Sequence, residues 1–310
     1  MGASRRVREW AKGRLHGLFV AAQRAGFDVL PRHFYSEVPD IRQLRETTAW
    51  RQSFSMIGVP GADVESQLAF VAECCTPRVV ERLGGAHVHA RAIQTNGEGG
   101  FGPIEADFLY AFVSTKRPPR ILQIGCGVST AVIQMAARDS SYAPELVCVE
   151  PYPNAFLLSE SRAGRLRLIQ KGAQDMDLAE LARLGSGDLL FVDSSHTLGP
   201  AGEVSRIILE FLPRLSPGAF VHFHDILFPF DYPRNLLDSA LFFAHESTLL
   251  HGFLAYNARF EIAACLSMLH YAAPDELRAH LPGYVPAENQ DGLSRSHGHF
   301  PSSTYLRVVA

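Results

Sequence analysis

The middle of the chain alternates short apolar runs with longer segments of helical periodicity. Residues 120–124 (RILQI), 146–149 (LVCV), 166–170 (LRLIQ), 189–192 (LLFV) and 219–223 (AFVHF) read as strands. Runs this apolar suit strands covered on both faces, as in a parallel sheet. Between the last two, Val204, Ile207, Ile208, Phe211 and Leu212 fall at i, i+3, i+4, i+7 and i+8 and make one apolar helix face. Each strand stops at small or polar residues: Gly125-Cys126-Gly127, Glu150, residues 172–175 (GAQD), Asp193 to His196, and His224-Asp225. A parallel sheet gathers these ends on one edge.

The first strand end carries the clearest local chemistry. A strand, a Gly-x-Gly turn and a helix bring backbone amides to a ligand at the helix N-terminus, and Gly125 and Gly127 remove side chains that would block the approach. The third glycine of a dinucleotide fingerprint is absent, since Val128, Ser129 and Thr130 follow, and this weighs against a nicotinamide cofactor. Glu150 ends the second strand where a carboxylate can accept hydrogen bonds from a ribose diol, and Tyr152 follows as a candidate to lie against the nucleoside.

Around this centre the chain divides into three: an arm over residues 1–50, a helical lid or substrate region over 51–118, and a catalytic domain over 119–310. The arm contains a helix to about residue 25 and a Pro-punctuated stretch between Pro31 and Pro39. The second part has breaks at Pro60-Gly61 and Gly84-Gly85. Its glycine-rich run from Thr95 to Pro103 leads into a helix over 104–113, and Asn96, Glu98, Phe101 and Asp107 are candidates to line a movable lid. Beyond residue 225, an aromatic loop over 228–233 is placed to wall a pocket. Residues 235–257 read as mainly helical, and 260–265 with 305–309 as a closing pair of strands.

In this order the motifs resemble the class I S-adenosylmethionine-dependent methyltransferases over roughly residues 95–310. The matches are the turn at Gly125-Cys126-Gly127, Glu150, the segment 172–175 and Asp193. The GAQD segment looks like the adenine-contacting turn of catechol-type O-methyltransferases, which place metal-binding carboxylates at the positions of Asp193 and Asp225. The segments 33–40 and 228–233 look like a family of bacterial class I methyltransferases. Two positions depart from the pattern: Gln123 where an acidic residue is usual, and His224 where the catechol group has no histidine. The resemblance implies an α/β, Rossmann-like seven-stranded sheet, mostly parallel with a reversed edge strand, plus a helical N-terminal extension. It also implies S-adenosyl-L-methionine held by Gly125, Cys126, Gly127, Ser129, Glu150, Tyr152, Gln174, Asp175 and Asp193.

Methyl transfer requires an aligned nucleophile relieved of its proton. Asp193, His196, His224 and Asp225 are the candidate catalytic residues, and two mechanisms are open. Asp193, His224 and Asp225, with His196 as a further donor, can hold magnesium, manganese, iron or zinc. Alternatively, His196 or His224 acts as general base, oriented by an aspartate. The expected reaction is O-methylation of a small-molecule, sugar or natural-product hydroxyl. N- or C-methylation and a non-catalytic cofactor-binding module are the alternatives. His222 reads as a core histidine, and the pairs His87/His89 and His297/His299 as solvated.

Composition narrows the partners. A net charge of −3 gives no global attraction to nucleic acid, and no base-flipping Asn-Pro-Pro-Tyr-type motif follows the fourth strand. The N-terminus is the exception, with Arg5, Arg6, Arg8, Lys12, Arg14, Arg24 and Arg32 against Glu9 and Asp28; it reads as a solvated helix face and a candidate homodimer contact. Its apolar run at 18–22 is too short to span a bilayer. Five cysteines without a Cys-x-x-Cys pattern suit reduced thiols, and a cytoplasmic location is expected.

Overall fold

The structure is a computed structural model that describes residues 14–30, 32, 36, 38–238, 242–289, 291–293 and 300–310. The chain separates into two compact units, residues 1–47 and 48–310. In the first, residues 14–24 are helical, and a second helix, Ile41–Glu46, is capped by Asp40, whose carboxylate accepts from the Arg42 amide. Arg5, Arg6, Arg8, Lys12, the stretch 33–35, His297 and His299 lie outside the described residues.

The second unit opens with four helices: α1 (Val64–Cys74), α2 (Pro77–Ala86), α3 (Val88–Asn96) and α4 (Pro103–Lys116). Proline at the first position of α2 and of α4 starts each without losing a needed amide donor. The sheet then alternates with helices: β1 (Arg120–Ile124), α5 (Val128–Asp139), β2 (Glu145–Val149), α6 (Ala155–Arg162), β3 (Arg167–Ile169), β4 (Leu189–Val192), α7 (Glu203–Arg206) and β5 (Phe220–Phe223). It closes with α8 (Glu246–Leu254), β6 (Phe260–Cys265), α9 (Leu266–Ala272), α10 (Pro274–His280) and β7 (Thr304–Val308).

The seven strands lie in the order β3-β2-β1-β4-β5-β7-β6. β1 to β5 pair in parallel, while β7 runs against both β5 and β6. The expected mostly parallel seven-stranded sheet is therefore present, with its reversed strand one place in from the edge. Strand order reverses between β2-β1 and β1-β4, and α/β sheets bind ligands at the carboxyl ends beside such a switch point.

Alternation along the strands feeds two apolar layers. Ile121, Leu189 and Phe191 face one core with Phe108, Phe112 and Val132, and Leu122, Leu190 and Val192 face another with Ile207, Ile208 and Phe211. Each large side chain so buried contributes about 1.5–3 kcal/mol, which fixes strand register and hence the place of each strand-end residue. The face anticipated from Val204 to Leu212 is wholly buried, although the helix widens to a π-turn at Ile207–Phe211. The mainly helical reading of 235–257 needs correction. Among the described residues there, only Glu246–Leu254 is α-helical, because the prolines and aromatics before it fold as turns around a cavity.

Candidate active site

The switch point is built from backbone. Gly125 sits at φ +76°, and a Cβ there would lie 1.8 Å from the Asp193 carbonyl oxygen, so the crossing of β1 and β4 excludes any side chain. Its amide donates to the Val149 carbonyl at 3.1 Å. Glu150 closes the turn from the next strand: one carboxylate oxygen accepts from the Cys126 amide at 3.1 Å and the other from the Tyr152 amide at 3.0 Å.

Gln123, the residue in place of an acid, is fully buried and braces the same turn. Its amide donates to the Ser129 hydroxyl at 2.8 Å and to the Gly125 carbonyl at 3.1 Å, while the Thr130 hydroxyl donates to its oxygen at 3.0 Å. Ser129 is thus buried and turned into the protein. Burial pushes the Cys126 thiol well up, so it stays neutral. Gln174 is half-buried and Asp175 exposed on a single 3-10 turn, and Tyr152 is 89% exposed.

The ends of β4 and β5 make a second, different assembly. Asp193 Oδ1 lies 3.4 Å from His196 Nε2 and 3.2 Å from His224 Nδ1. Asp225 Oδ2 lies 3.5 Å from each of the same two nitrogens. The four side chains expected from the sequence therefore meet as a ring of alternating oxygen and nitrogen. His196 and Asp225 reach it through left-handed backbone, at φ +59° and +56°, an arrangement uncommon outside glycine and concentrated at functional sites.

Two buried glutamates grip the far sides of the imidazoles. Glu246, at the start of α8, accepts from His196 Nδ1 at 2.7 Å and from the Ser194 hydroxyl at 3.1 Å. Glu105, in the first turn of α4, lies 3.1 Å from His224 Nε2 and also accepts from the Gly102 amide at 3.0 Å. The Ser302 amide donates to its other oxygen at 2.9 Å, and the Ser302 hydroxyl sits between that oxygen at 2.9 Å and Asp225 Oδ1 at 2.8 Å.

Sequence reading missed both glutamates. An acidic residue in a first helical turn ordinarily reads as a capping or dipole partner, and Glu105 does cap α4. The one available signal was an acidic residue in an otherwise apolar helix start, as in Pro103-Ile104-Glu105.

Four carboxylates thus surround two imidazoles. Burial opposes charging His196, yet its bonds to Asp193 and Glu246 raise it to about 10; burial likewise opposes charging His224, and Glu105 and Asp193 raise it well above its ordinary value. Burial favours a neutral Asp193, but the adjacent imidazoliums hold it far below the usual carboxylate range. Burial raises Glu246 despite His196, whereas His224 and Ser302 overcome burial and lower Glu105. The excess of acids over bases makes the centre receptive to a cation.

Above the ring opens a cavity of about 770 Å³ whose floor is Asp193, His224 and Asp225. Phe101, Phe230, Tyr232, Phe242, Tyr271 and Phe300 line its sides. The Phe101 ring centre is 4.9 Å from that of His224, which joins the glycine-rich segment before α4 to the site. Other candidates fall elsewhere. His222 is a core residue stacked on Phe191 at 4.1 Å and bonded to the Ser303 hydroxyl at 2.9 Å. His87 is exposed, but His89 is half-buried in α3 with Nε2 2.8 Å from the Phe101 carbonyl oxygen, correcting its reading as a solvated loop residue. Phe228 packs in the core and does not line the cavity.

Residues 122–226, from β1 to just past β5, match the family model described as a methyltransferase domain. The matched segment contains the strand-end glycine turn and reaches across all five parallel strands of the sheet, from within β1 to the end of β5.

An uncharacterized protein of Archaeoglobus fulgidus is 29% identical over 199 residues, 58% of this chain and 83% of the relative. Among solved structures, an SAH-bound Podospora anserina methyltransferase, PaMTH1, shares 18% identity at a TM-score of 0.41, over 92% of this chain and all of that one. The plantazolicin methyltransferase BpumL in complex with SAH shares 11% at a TM-score of 0.41, over 80% and 96%. Among the described residues no helix is long and apolar enough to cross a membrane.

Proposed function

We propose that the protein transfers a methyl group from S-adenosylmethionine to a hydroxyl of a small molecule, with a divalent cation held by Asp193, His196, His224 and Asp225. The observation that carries this is the ring of four donor atoms, 3.2 to 3.5 Å between neighbours, three of whose residues, Asp193, His224 and Asp225, line the cavity beside the switch point. The chemistry of the donors fits a cation: Asp193, His196 and His224 each bring one donor atom within 4.8 Å of the others, and Asp225 Oδ2 lies 3.5 Å from both inner imidazole nitrogens.

The cofactor's place is the Gly125-Cys126-Gly127 turn. There Glu150 retains lone pairs for the ribose diol, Gln174 and Asp175 stand at the end of β3 for the purine, and amides at the start of α5 face the methionine end. Ser129 acts by bracing Gln123, and Tyr152 is free to close over the nucleoside.

A bound divalent ion acts as a Lewis acid that favours the ionised form of a substrate hydroxyl. The chain's own residues do the rest. Glu105 and Glu246 keep the imidazoles turned, the aromatic walls exclude water and orient the acceptor, and the shared strand ends set that acceptor in line with the sulfonium. A cavity of about 770 Å³ suits a sugar ring or a natural product of a few rings.

The test is a transfer assay on a panel of hydroxylated sugars and phenolic natural products, before and after chelation and with divalent ions restored. Activity lost on chelation and regained with an ion is expected. Full turnover after exhaustive chelation, or cofactor binding with no acceptor turned over by the ion-supplemented enzyme, would overturn the reading.

A further inference from the structure

We infer that Glu105 and Glu246 are positioning residues that present two imidazole lone pairs to one point, so that the centre selects a first-row transition ion over magnesium. The inference rests on the metal-assisted reading above and goes beyond it by assigning the ion class and two residues outside the ring.

The geometry is specific. Each histidine uses one ring nitrogen on a buried glutamate and turns the other to the ring: His196 Nδ1 outward at 2.7 Å from Glu246 with Nε2 inward, and His224 Nε2 outward at 3.1 Å from Glu105 with Nδ1 inward. The two imidazoles are thus held in opposite tautomers, each with its proton on the outer nitrogen when the inner one coordinates. A carboxylate behind a ligating imidazole fixes its orientation and increases its basicity.

Both glutamates are anchored. Glu105 is 2% and Glu246 0% exposed, and Ser302, Gly102 and Ser194 hold their carboxylates in place. Serving helix capping alone would not require Glu105 to reach His224, and Glu246 makes no bond to the amides of its own helix among those described.

Size and donor type agree. The donor atoms of Asp193, His196 and His224 all lie within 4.8 Å of one another, a spacing that admits one ion at protein–metal bond lengths of about 2.0–2.5 Å. Magnesium prefers oxygen and keeps several waters, whereas two nitrogens with two carboxylates suit manganese, iron or zinc. The far larger supply of magnesium in a cell makes that nitrogen content the protein's means of discrimination.

The experiment uses the full chain, stripped with chelator and titrated separately with manganese, zinc and magnesium by calorimetry. Electron spin-echo spectroscopy of the manganese form reads the ligand nitrogens. Wild type is expected to bind manganese and zinc at least tenfold more tightly than magnesium and to show coupling to two imidazole nitrogens. E105Q and E246Q, checked for folding by retained S-adenosylhomocysteine binding, are expected to lose 10–100-fold in manganese affinity and to narrow the preference over magnesium.

Wild type that binds none of the three ions would remove the metal-assisted reading and this inference with it. Magnesium bound as tightly as manganese, or a manganese signal without nitrogen coupling, would overturn only the inference, and both are read on wild type. Folded glutamine variants with unchanged affinity would also overturn it.

Discussion

The two halves of the switch point are built by different means. On the β1-β2 side the site is backbone: a glycine that no side chain can replace, amides at a helix start, and a glutamate that ties the Cys126 and Tyr152 amides. On the β4-β5 side it is side chains from four separated segments, at residues 105, 193–196, 224–225 and 246. A backbone cradle suits a ligand that never changes. A side-chain constellation lets the same sheet serve new acceptors by exchanging residues.

The sharpest way to break this division is to disable one half and ask whether the other survives. D193A and H224A should each cut methyl transfer by at least ~10³-fold, the loss expected when an essential catalytic group is removed. Cofactor affinity by calorimetry should hold within a few-fold, because neither imidazole nor aspartate side chain supports the glycine turn. Turnover near wild type in either variant would show that the ring is structural.

Next in size is G125A. The added methyl meets the Asp193 carbonyl oxygen at 1.8 Å in a residue already at φ +76°, so strands β1 and β4 must separate. A loss of about 3 kcal/mol or more is expected from overpacking and backbone strain together. Because the obstructing atom belongs to the acceptor half, this substitution should damage both halves. Unfolding by denaturant gives the stability, and a variant as stable as wild type would mean the two strand ends are less tightly apposed.

E150A should be milder and confined to the cofactor half. It removes two hydrogen bonds to backbone amides, at Cys126 and Tyr152, and a charged partner for the ribose. Affinity for S-adenosylhomocysteine should fall about 10–100-fold, since bonds to a charged group contribute about 1.5–3 kcal/mol. Stability should change by about 1 kcal/mol, because the site is only partly buried. Metal binding at the ring should be untouched, and a drop there would contradict the separation.

The same contrast explains what could be read from the sequence. Apolar runs named the strands, and their polar ends named the glycine turn, Glu150 and the four ring residues, because in a parallel sheet position along the strand fixes position in space. Glu105 and Glu246 could not be found this way. They enter from helix N-termini 119 residues before and 50 residues after the histidines they serve (105 to 224, 196 to 246), and their local signal is that of ordinary capping. Tertiary approach alone gives them chemistry. Residues 235–238 read as helical but fold as turns for a related reason: Asn235, Phe242 and Ala244 line the cavity, and no periodicity distinguishes a wall from a helix face.

The smallest effect concerns Asp107, two residues from Glu105 on α4 and a contrast to it. Glu105 is surrounded by donors and stays ionised, whereas burial without a compensating base raises Asp107 to about 7. A carboxyl raised in the folded state favours its protonated form there. Its stabilising contribution is complete below the unfolded value of about 3.9 and is lost as pH rises towards 7. D107N carries the neutral shape at every pH, so its advantage over wild type should be near zero at pH 4, grow between pH 4 and 7 and level off above. Asp107 is only partly buried, so solvent screening limits the gain to about 1–2 kcal/mol, a few degrees in melting temperature. Melting curves of both proteins from pH 4 to 8 test this; parallel curves would mean that Asp107 has a partner or water access that neutralises its burial. Metal affinity should be the same in both proteins, since Asp107 makes no contact with the ring, and that separates a carboxylate that works from one that is merely tolerated.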